Sequence, residues 1–314
     1  MTIKELNDSV KKALSKYYVD SPALTAGILL CHVLKCDKAY LFTHYDQEVS
    51  NYSIKELELL TTRLCNHEPI DYIIGERYFM GYPFKVGRGV LIPRPETELL
   101  VEKCINFANQ IHLENKEIRI LDLCTGSGCI AISIVRMLKE NEIFAIAAGI
   151  DISKEAIDYA MDNSRINGTK DSIVFEVGDA ISIKNLINQM KNKMKLNNKD
   201  YANILNEIHV KKCTIMSINP PYIPSADIIQ LDKKVRDYEP VLALDGGRDG
   251  LFFYRKIIAE APELLEKNGM LALEIGFNQG EDVMRIIEET EFYYESKLFY
   301  DFSGLERVIT CRLK

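Results

Sequence analysis

From residue 118 onward the chain alternates short apolar runs with amphipathic stretches, and that alternation constrains its fold more than any other feature. Strands are expected at 118–123, 144–150, 173–177, 214–218, 270–275 and 308–313. Helices are expected at 130–138, 154–167, 251–267 and 281–289, with Ser153 as N-cap of the second. A strand–helix–strand order of this kind implies an α/β fold with a mostly parallel, doubly wound sheet. Ligands of such sheets bind at the carboxyl ends of the strands.

The part before this unit has a different pattern. Leu6, Val10, Leu14 and Tyr17 recur at helical spacing, as do Ile28, Leu29, Val33 and Leu34, and then Ile54, Leu57, Leu60 and Leu64. Residues 1–75 therefore read as a small all-α domain. Aromatic stretches around Gly81 and Pro83 read as a β-hairpin linker over 76–92, and 93–314 as the α/β domain. One stretch breaks the alternation. Residues 181–212 are rich in Lys and Asn, and read as a solvated insertion with some helix or, more sharply, as a basic contact surface for a partner.

At 314 residues, two domains are expected, and 47% hydrophobic residues suffice for a core. The formal net charge of −7 speaks against a protein that mainly coats nucleic acid. The eight cysteines include no C-x-x-C pair, so no metal site is expected, and several lie in apolar runs as reduced thiols do. The N-terminus lacks the apolar core of a signal peptide, and no apolar run is long enough to span a bilayer. A cytoplasmic location, with no membrane partner, is expected.

Two motifs carry the chemistry. Asp122-Leu123-Cys124-Thr125-Gly126-Ser127-Gly128 joins a strand to a helix. Its glycines let the backbone approach a ligand, and Gly126, Gly128 and Ala131 fit the dinucleotide-binding spacing. Alone that is a weak signal, since a tight turn needs the same residues. Two further acids strengthen it. Asp151 ends the next strand, where a carboxylate can accept from both ribose hydroxyls. Asp179, followed by Ala180, ends the strand after that, on the side where adenine would lie. Asp122 is placed to orient the far end of such a cofactor. A nicotinamide cofactor would suit the loop too, but no His near a strand end offers the proton transfer it would need.

The second motif is Asn219-Pro220-Pro221-Tyr222, directly after the apolar run ending at Ile218. An amide nitrogen is a poor nucleophile because its lone pair is delocalised. Here the Asn219 side-chain oxygen and the Pro220 carbonyl can each accept one hydrogen of an NH2 group. Consecutive prolines stiffen the turn and add no competing N–H, while Tyr222 offers a flat face to a planar group. The two motifs together point to methyl transfer from S-adenosylmethionine to such a nitrogen, leaving S-adenosylhomocysteine.

On these residues the chain resembles the PrmC/HemK family, the protein-(glutamine-N5) methyltransferases of peptide chain release factors. The resemblance also takes in Gly75-Glu76-Arg77-Tyr78-Phe79, the string Leu91-Ile92-Pro93-Arg94-Pro95-Glu96-Thr97-Glu98, Glu239-Pro240, the run from Ala243 to Gly250, Leu273-Glu274-Ile275-Gly276 and Gly304-Leu305-Glu306-Arg307-Val308. It implies a seven-stranded class I (Rossmann-like) S-adenosylmethionine-dependent methyltransferase sheet. It also implies an N-terminal domain that helps grip a class I release factor, and a target glutamine in a Gly-Gly-Gln motif. It places Cys124, Thr125, Gly126, Ser127 and Gly128 at the cofactor, Asp151 at its ribose and Asp179 with Ala180 at its adenine. Asn219, Pro220, Pro221 and Tyr222 would hold the glutamine amide. Residues 93–98 would lie beside the site, and Pro95, Glu96 and Glu98 also suit a helix start. Cys124 stands where the family more often has Gly, which a negative φ would excuse. The Lys/Asn-rich insertion is longer than the family usually carries.

Because amino-methylating DNA enzymes share Asn-Pro-Pro-Tyr, an adenine-N6 or cytosine-N4 nucleic-acid methyltransferase is the alternative. It would need a basic, aromatic-lined recognition region. A third class, a non-catalytic cofactor-binding module, would not need an intact Asn219–Tyr222 motif.

Overall fold

A computed structural model describes residues 1–114, 116–193 and 199–314. The chain divides into two compact units, Met1–Glu76 with Asp232–Tyr238, and Arg77–Leu231 with Glu239–Lys314.

The first unit is helical: α1 Ile3–Lys16, α2 Pro22–Leu34, α3 Lys38–Thr43, α4 Asn51–Cys65 and α5 Ile70–Ile74. The Thr2 hydroxyl accepts from the Glu5 N–H while the Glu5 carboxylate accepts from the Thr2 N–H, a reciprocal cap that starts α1. Its apolar stripe, Ile3, Leu6, Val10 and Leu14, is buried against Leu29, Leu30, Leu57 and Leu60. Tyr17 leaves this face, because α1 stops at Lys16 and Tyr17 is half exposed. Within this unit the segment from Asp232 is held by Lys234 Nζ donating to Asp20 (2.9 Å) and by the Tyr238 hydroxyl donating to the Asn66 carbonyl (2.7 Å).

In the second unit, the hairpin β1 Glu76–Phe79 and β2 Tyr82–Lys85 precedes α6 Glu98–Leu113, β3 Ile118–Leu123, α7 Cys129–Glu140, β4 Ala145–Asp151 and α8 Lys154–Ile166. Then come β5 Ile173–Val177, α9 Ile183–Lys193, α10 Lys199–Lys211 and β6 Cys213–Ile218. A short helix, α11 Lys233–Arg236, belongs to the first unit, and α12 Phe252–Glu260, β7 Leu265–Glu274, α13 Gly280–Glu289, β8 Tyr293–Tyr300 and β9 Glu306–Leu313 complete the second.

Seven strands form one sheet in the order β5-β4-β3-β6-β7-β9-β8. The pairs from β5 through β7 are parallel, and β9 runs antiparallel to both β7 and β8. Strands β3 and β6 are buried at every position, as strands covered on both faces must be. Strand order reverses between β3 and β6, and the crevice at such a switch point is where ligands bind.

The structure corrects three expectations. The stretch 181–212 holds the helix expected there, but its described residues are not merely a solvated insertion. Within it, α9 and α10 bury Ile183, Leu186, Ile204, Leu205 and Ile208 in the same core as Leu121, Ile150 and Met216. Their spacing is helical, but the Lys and Asn residues between them hide the period. Residues 194–198 of the Lys/Asn run lie outside the described residues. The helix expected over 251–267 ends at Glu260, ahead of Pro262, and β7 already begins at Leu265. Strand β8 went unread, because its partly exposed residues show no apolar run. No helix among the described residues is long and apolar enough to cross a membrane.

Candidate active site

Leu123 and Ile218 are register partners in neighbouring parallel strands. The loop that starts at Cys124 and the turn that starts at Asn219 therefore leave the sheet side by side at the switch point. Both open into one cavity of about 310 Å³. Its wall includes Cys124, Thr125, Gly126, Ser127, Asp151, Asp179, Ala180, Asn219 and Pro221, whereas Asp122, Gly128, Pro220 and Tyr222 are not part of that wall.

Asp122 is fully buried beneath the loop. Its two oxygens accept from the Thr125 hydroxyl (2.6 Å) and the Ser217 hydroxyl (2.7 Å), which ties the loop to β6. Burial pushes its pKa up to about 6, against the pull of those hydrogen bonds. In this position Asp122 shapes the loop through Thr125 and is not among the residues that line the cavity. Gly128 is a packing glycine with φ +79°, where an added Cβ would stand 2.8 Å from Ile132 Cδ1 and 3.1 Å from Ala160 Cβ. Cys124 takes a left-handed φ of +57°, so the negative φ that would have excused it is not found. A residue with a Cβ is strained there, which is the physical reason glycine suits the position.

Asp151 accepts from the Gly126 N–H and from the Ser153 N–H, both at 2.9 Å, and thereby joins the loop to the start of α8. Desolvation raises its pKa, and those backbone donors oppose the rise. Each carboxylate oxygen keeps a lone pair for a further donor. Above Gly126 there is room: an added Cβ would find only Val90 Cγ2, at 4.0 Å. Asp179 lies just past β5, and its carboxylate accepts from the Ile181 N–H (3.1 Å). An acidic pair on one side, an apolar wall of Val90, Leu91 and Pro93, and open space over the loop backbone fit an adenosine-bearing cofactor.

On the other side, Asn219 Nδ2 donates to Thr97 Oγ1 (3.4 Å) and the Tyr222 hydroxyl donates to Glu274 Oε1 (3.5 Å). Gln279 Nε2 donates to the Tyr222 carbonyl (3.0 Å), and the Ile223 N–H to the Leu244 carbonyl (3.0 Å). The segment 93–98 is anchored by an ion pair between Arg94 and the buried Glu239, which also accepts from the Ile92 N–H (3.2 Å). Thr97, Glu239 and Glu274, which lie in the strings that carry the resemblance, act as supports, and so do Ser217 and Gln279, for which no role is expected from the sequence. A signal existed for two of them: Ser217 and Glu274 are buried polar residues at the carboxyl ends of β6 and β7, directly after apolar runs.

Fold and site define a methyltransferase. Residues 114–301 match the methyltransferase domain model, and residues 5–75 match the PrmC N-terminal domain model. A release factor glutamine methyltransferase of Thermodesulfovibrio yellowstonii is 38% identical over 302 residues, covering 96% of both chains. A release factor glutamine methyltransferase of Clostridium acetobutylicum is 33% identical, covering 98% of this chain and 93% of its own. The chain belongs to the release factor glutamine methyltransferase family. Among solved structures, the hMettl16 catalytic domain in complex with MAT2A 3′UTR hairpin 6 shares the fold, with a TM-score of 0.51, 13% identity, and 88% and 92% of the two chains covered.

Proposed function

We propose that this protein transfers a methyl group from S-adenosylmethionine to the side-chain amide nitrogen of the glutamine in the Gly-Gly-Gln motif of class I peptide chain release factors. The observation that carries this reading is that the Asn219 turn and the Thr125–Asp151 loop open into a single cavity from paired strands. The names of the full-length relatives support the substrate, and they do not favour nucleic acid.

In this reading Thr125, Gly126 and Ser127 hold the cofactor, Asp151 its ribose, and Asp179 with Ala180 its adenine. Bound there, the cofactor supplies an electrophilic methyl group. Asn219 Oδ1 and the Pro220 carbonyl accept the two hydrogens of the substrate NH2, which holds its nitrogen in one orientation and draws electron density toward it. Tyr222 supports the planar amide from the side. Fixing both partners in line is worth roughly 7–11 kcal/mol in well-oriented systems. Residues 1–75 would help grip the release factor, 76–92 would link, and 93–314 would carry the chemistry, in the cytoplasm.

The test is fragment-ion mass spectrometry of a class I release factor incubated with the protein and S-adenosylmethionine. One added methyl on the Gly-Gly-Gln glutamine, absent with Asn219→Ala, is expected. No methylation by wild-type protein that binds the cofactor would overturn the substrate assignment.

A further inference from the structure

Arg94 stands in the wall of the cavity, three residues before Thr97, whose oxygen takes the Asn219 amide N–H. Its side chain is 32% exposed, and its Nη2 donates to the buried carboxylate of Glu239. A guanidinium carries five N–H donors. Among the described residues, no protein acceptor other than Glu239 takes one of them. We propose that Arg94 reads the substrate main chain: its remaining N–H groups donate to a backbone carbonyl of the polypeptide loop that carries the target glutamine. This rests on the glutamine-methylating reading above, and gives the site a means of telling a polypeptide from an isolated amide.

The donor is held ready. Pro93 and Pro95 flank Arg94, and its backbone is extended (φ −97°, ψ 141°), the region into which a following proline pushes a residue. Glu239 grips the guanidinium and also accepts from the Ile92 N–H (3.2 Å), so side chain and backbone are fixed by one buried carboxylate. Little freedom is then left to lose on binding. The ion pair is also neutral as a whole. It offers N–H donors without net charge, which suits the uncharged carbonyl of a peptide bond better than the carboxylate of the cofactor. The wall around it is apolar, with Pro93, Pro221, Pro240 and Leu242, and a hydrogen bond made among such groups is strong. The target completes the argument. The two glycines before the glutamine have no side chains, so apart from the amide only their main chain is there to be recognised.

Two variants test this. Arg94→Lys keeps a cation beside Glu239 but loses the planar fork of donors. Arg94→Met combined with Glu239→Gln removes both charges, and so leaves no buried carboxylate unpaired. With a Gly-Gly-Gln peptide, each folded variant should show a KM raised roughly 10–100-fold, the range for loss of a hydrogen bond from a charged donor. Its kcat should stay within about twofold of wild type, the pattern of an interaction made equally before and during methyl transfer. Calorimetric titration with S-adenosylmethionine should give an unchanged Kd. A wild-type KM in Arg94→Lys would make the residue an ion-pair partner of Glu239 and no more, and would overturn the proposal. So would a cofactor Kd weakened as much as KM, which would assign the guanidinium to the cofactor's carboxylate. A wild type that neither binds nor methylates the peptide would overturn the functional reading and this proposal with it, whereas a wild type that methylates it, with KM unmoved in both variants, would overturn this proposal alone.

Discussion

Gly246 lies against the backbone of Tyr222, so close that a Cβ at position 246 would stand 2.7 Å from Tyr222 Cα and 2.8 Å from its carbonyl carbon. The two segments are also joined by the Gly246 N–H donating to the Ile223 carbonyl (2.8 Å). The run from Ala243 to Gly250 thus acts as a backing for the amide-binding turn. Gly246→Ala is expected to push that turn toward the cavity. Overpacking of this kind costs about 1–3 kcal/mol, so thermal denaturation should show a modest loss of stability. Methyl transfer should fall by more than stability does, because the displaced atoms belong to the turn proposed to hold the substrate; equal stability and equal activity in wild type and variant would count against this account.

In the proposed function Asp151 serves cofactor binding and Asn219 the chemical step. Asp151 ties Gly126 to Ser153 and keeps lone pairs for a ribose. Asp151→Ala should weaken S-adenosylmethionine binding at least about tenfold, the equivalent of about 1.4 kcal/mol. Asn219→Ala should leave that binding nearly intact. Calorimetric titration of both variants checks the contrast, and equal effects would show that the two residues do not divide the work.

Asn163 is a buried structural link between the hairpin and the cofactor loop. Its Oδ1 accepts from the Lys85 N–H (2.6 Å), and its Nδ2 donates to the Lys85 carbonyl (3.1 Å) and the Ser127 carbonyl (2.9 Å). Asn163→Ala leaves the buried Ser127 carbonyl without a partner, at about 1–3 kcal/mol, and frees two part-buried backbone groups of Lys85. The expected outcome is a clear drop in denaturation midpoint and weaker cofactor binding through the loosened Ser127. Unchanged urea unfolding would refute it.

Asp122 and Glu274 make stability depend on pH in an unusual direction. Burial raises their pKa values to about 6 and about 7. A raised carboxyl pKa means that the folded state holds the proton more tightly than the unfolded state. Below the ordinary carboxylate range both states are protonated, and the groups contribute nothing to the pH dependence. As pH climbs from that range to about 6 for Asp122 and about 7 for Glu274, unfolding releases the proton that the folded state holds, and stability falls by an amount of order 3 kcal/mol per group. Urea unfolding across this window should show the decline in wild-type protein and a shallower one in Glu274→Gln. A stability that rises through the same window in both would exclude these two groups as its source.

The sequence by itself determined the alternating α/β unit, the helical N-terminal part, the hairpin at Gly81 and the two motifs at the strand ends. Those are local: periodicity, caps and turn residues are written in consecutive positions. Tertiary structure alone decided which of the motif residues face the cavity. Asp122 and Gly128 sit in the same seven-residue string as Thr125 and Gly126, yet one is roofed by two hydroxyls and the other by packing. The Lys/Asn-rich stretch became a core layer because five apolar side chains on α9 and α10 meet the sheet, a fact their polar neighbours conceal. Thr97 and Asn219, like Tyr222 and Glu274, stand far apart in the chain and meet only because strand order brings β6 beside β7 and α6 against both. Hydrogen bonds between such residues depend on register across the sheet, and register is set by the packing of the whole core rather than by any local run of residues.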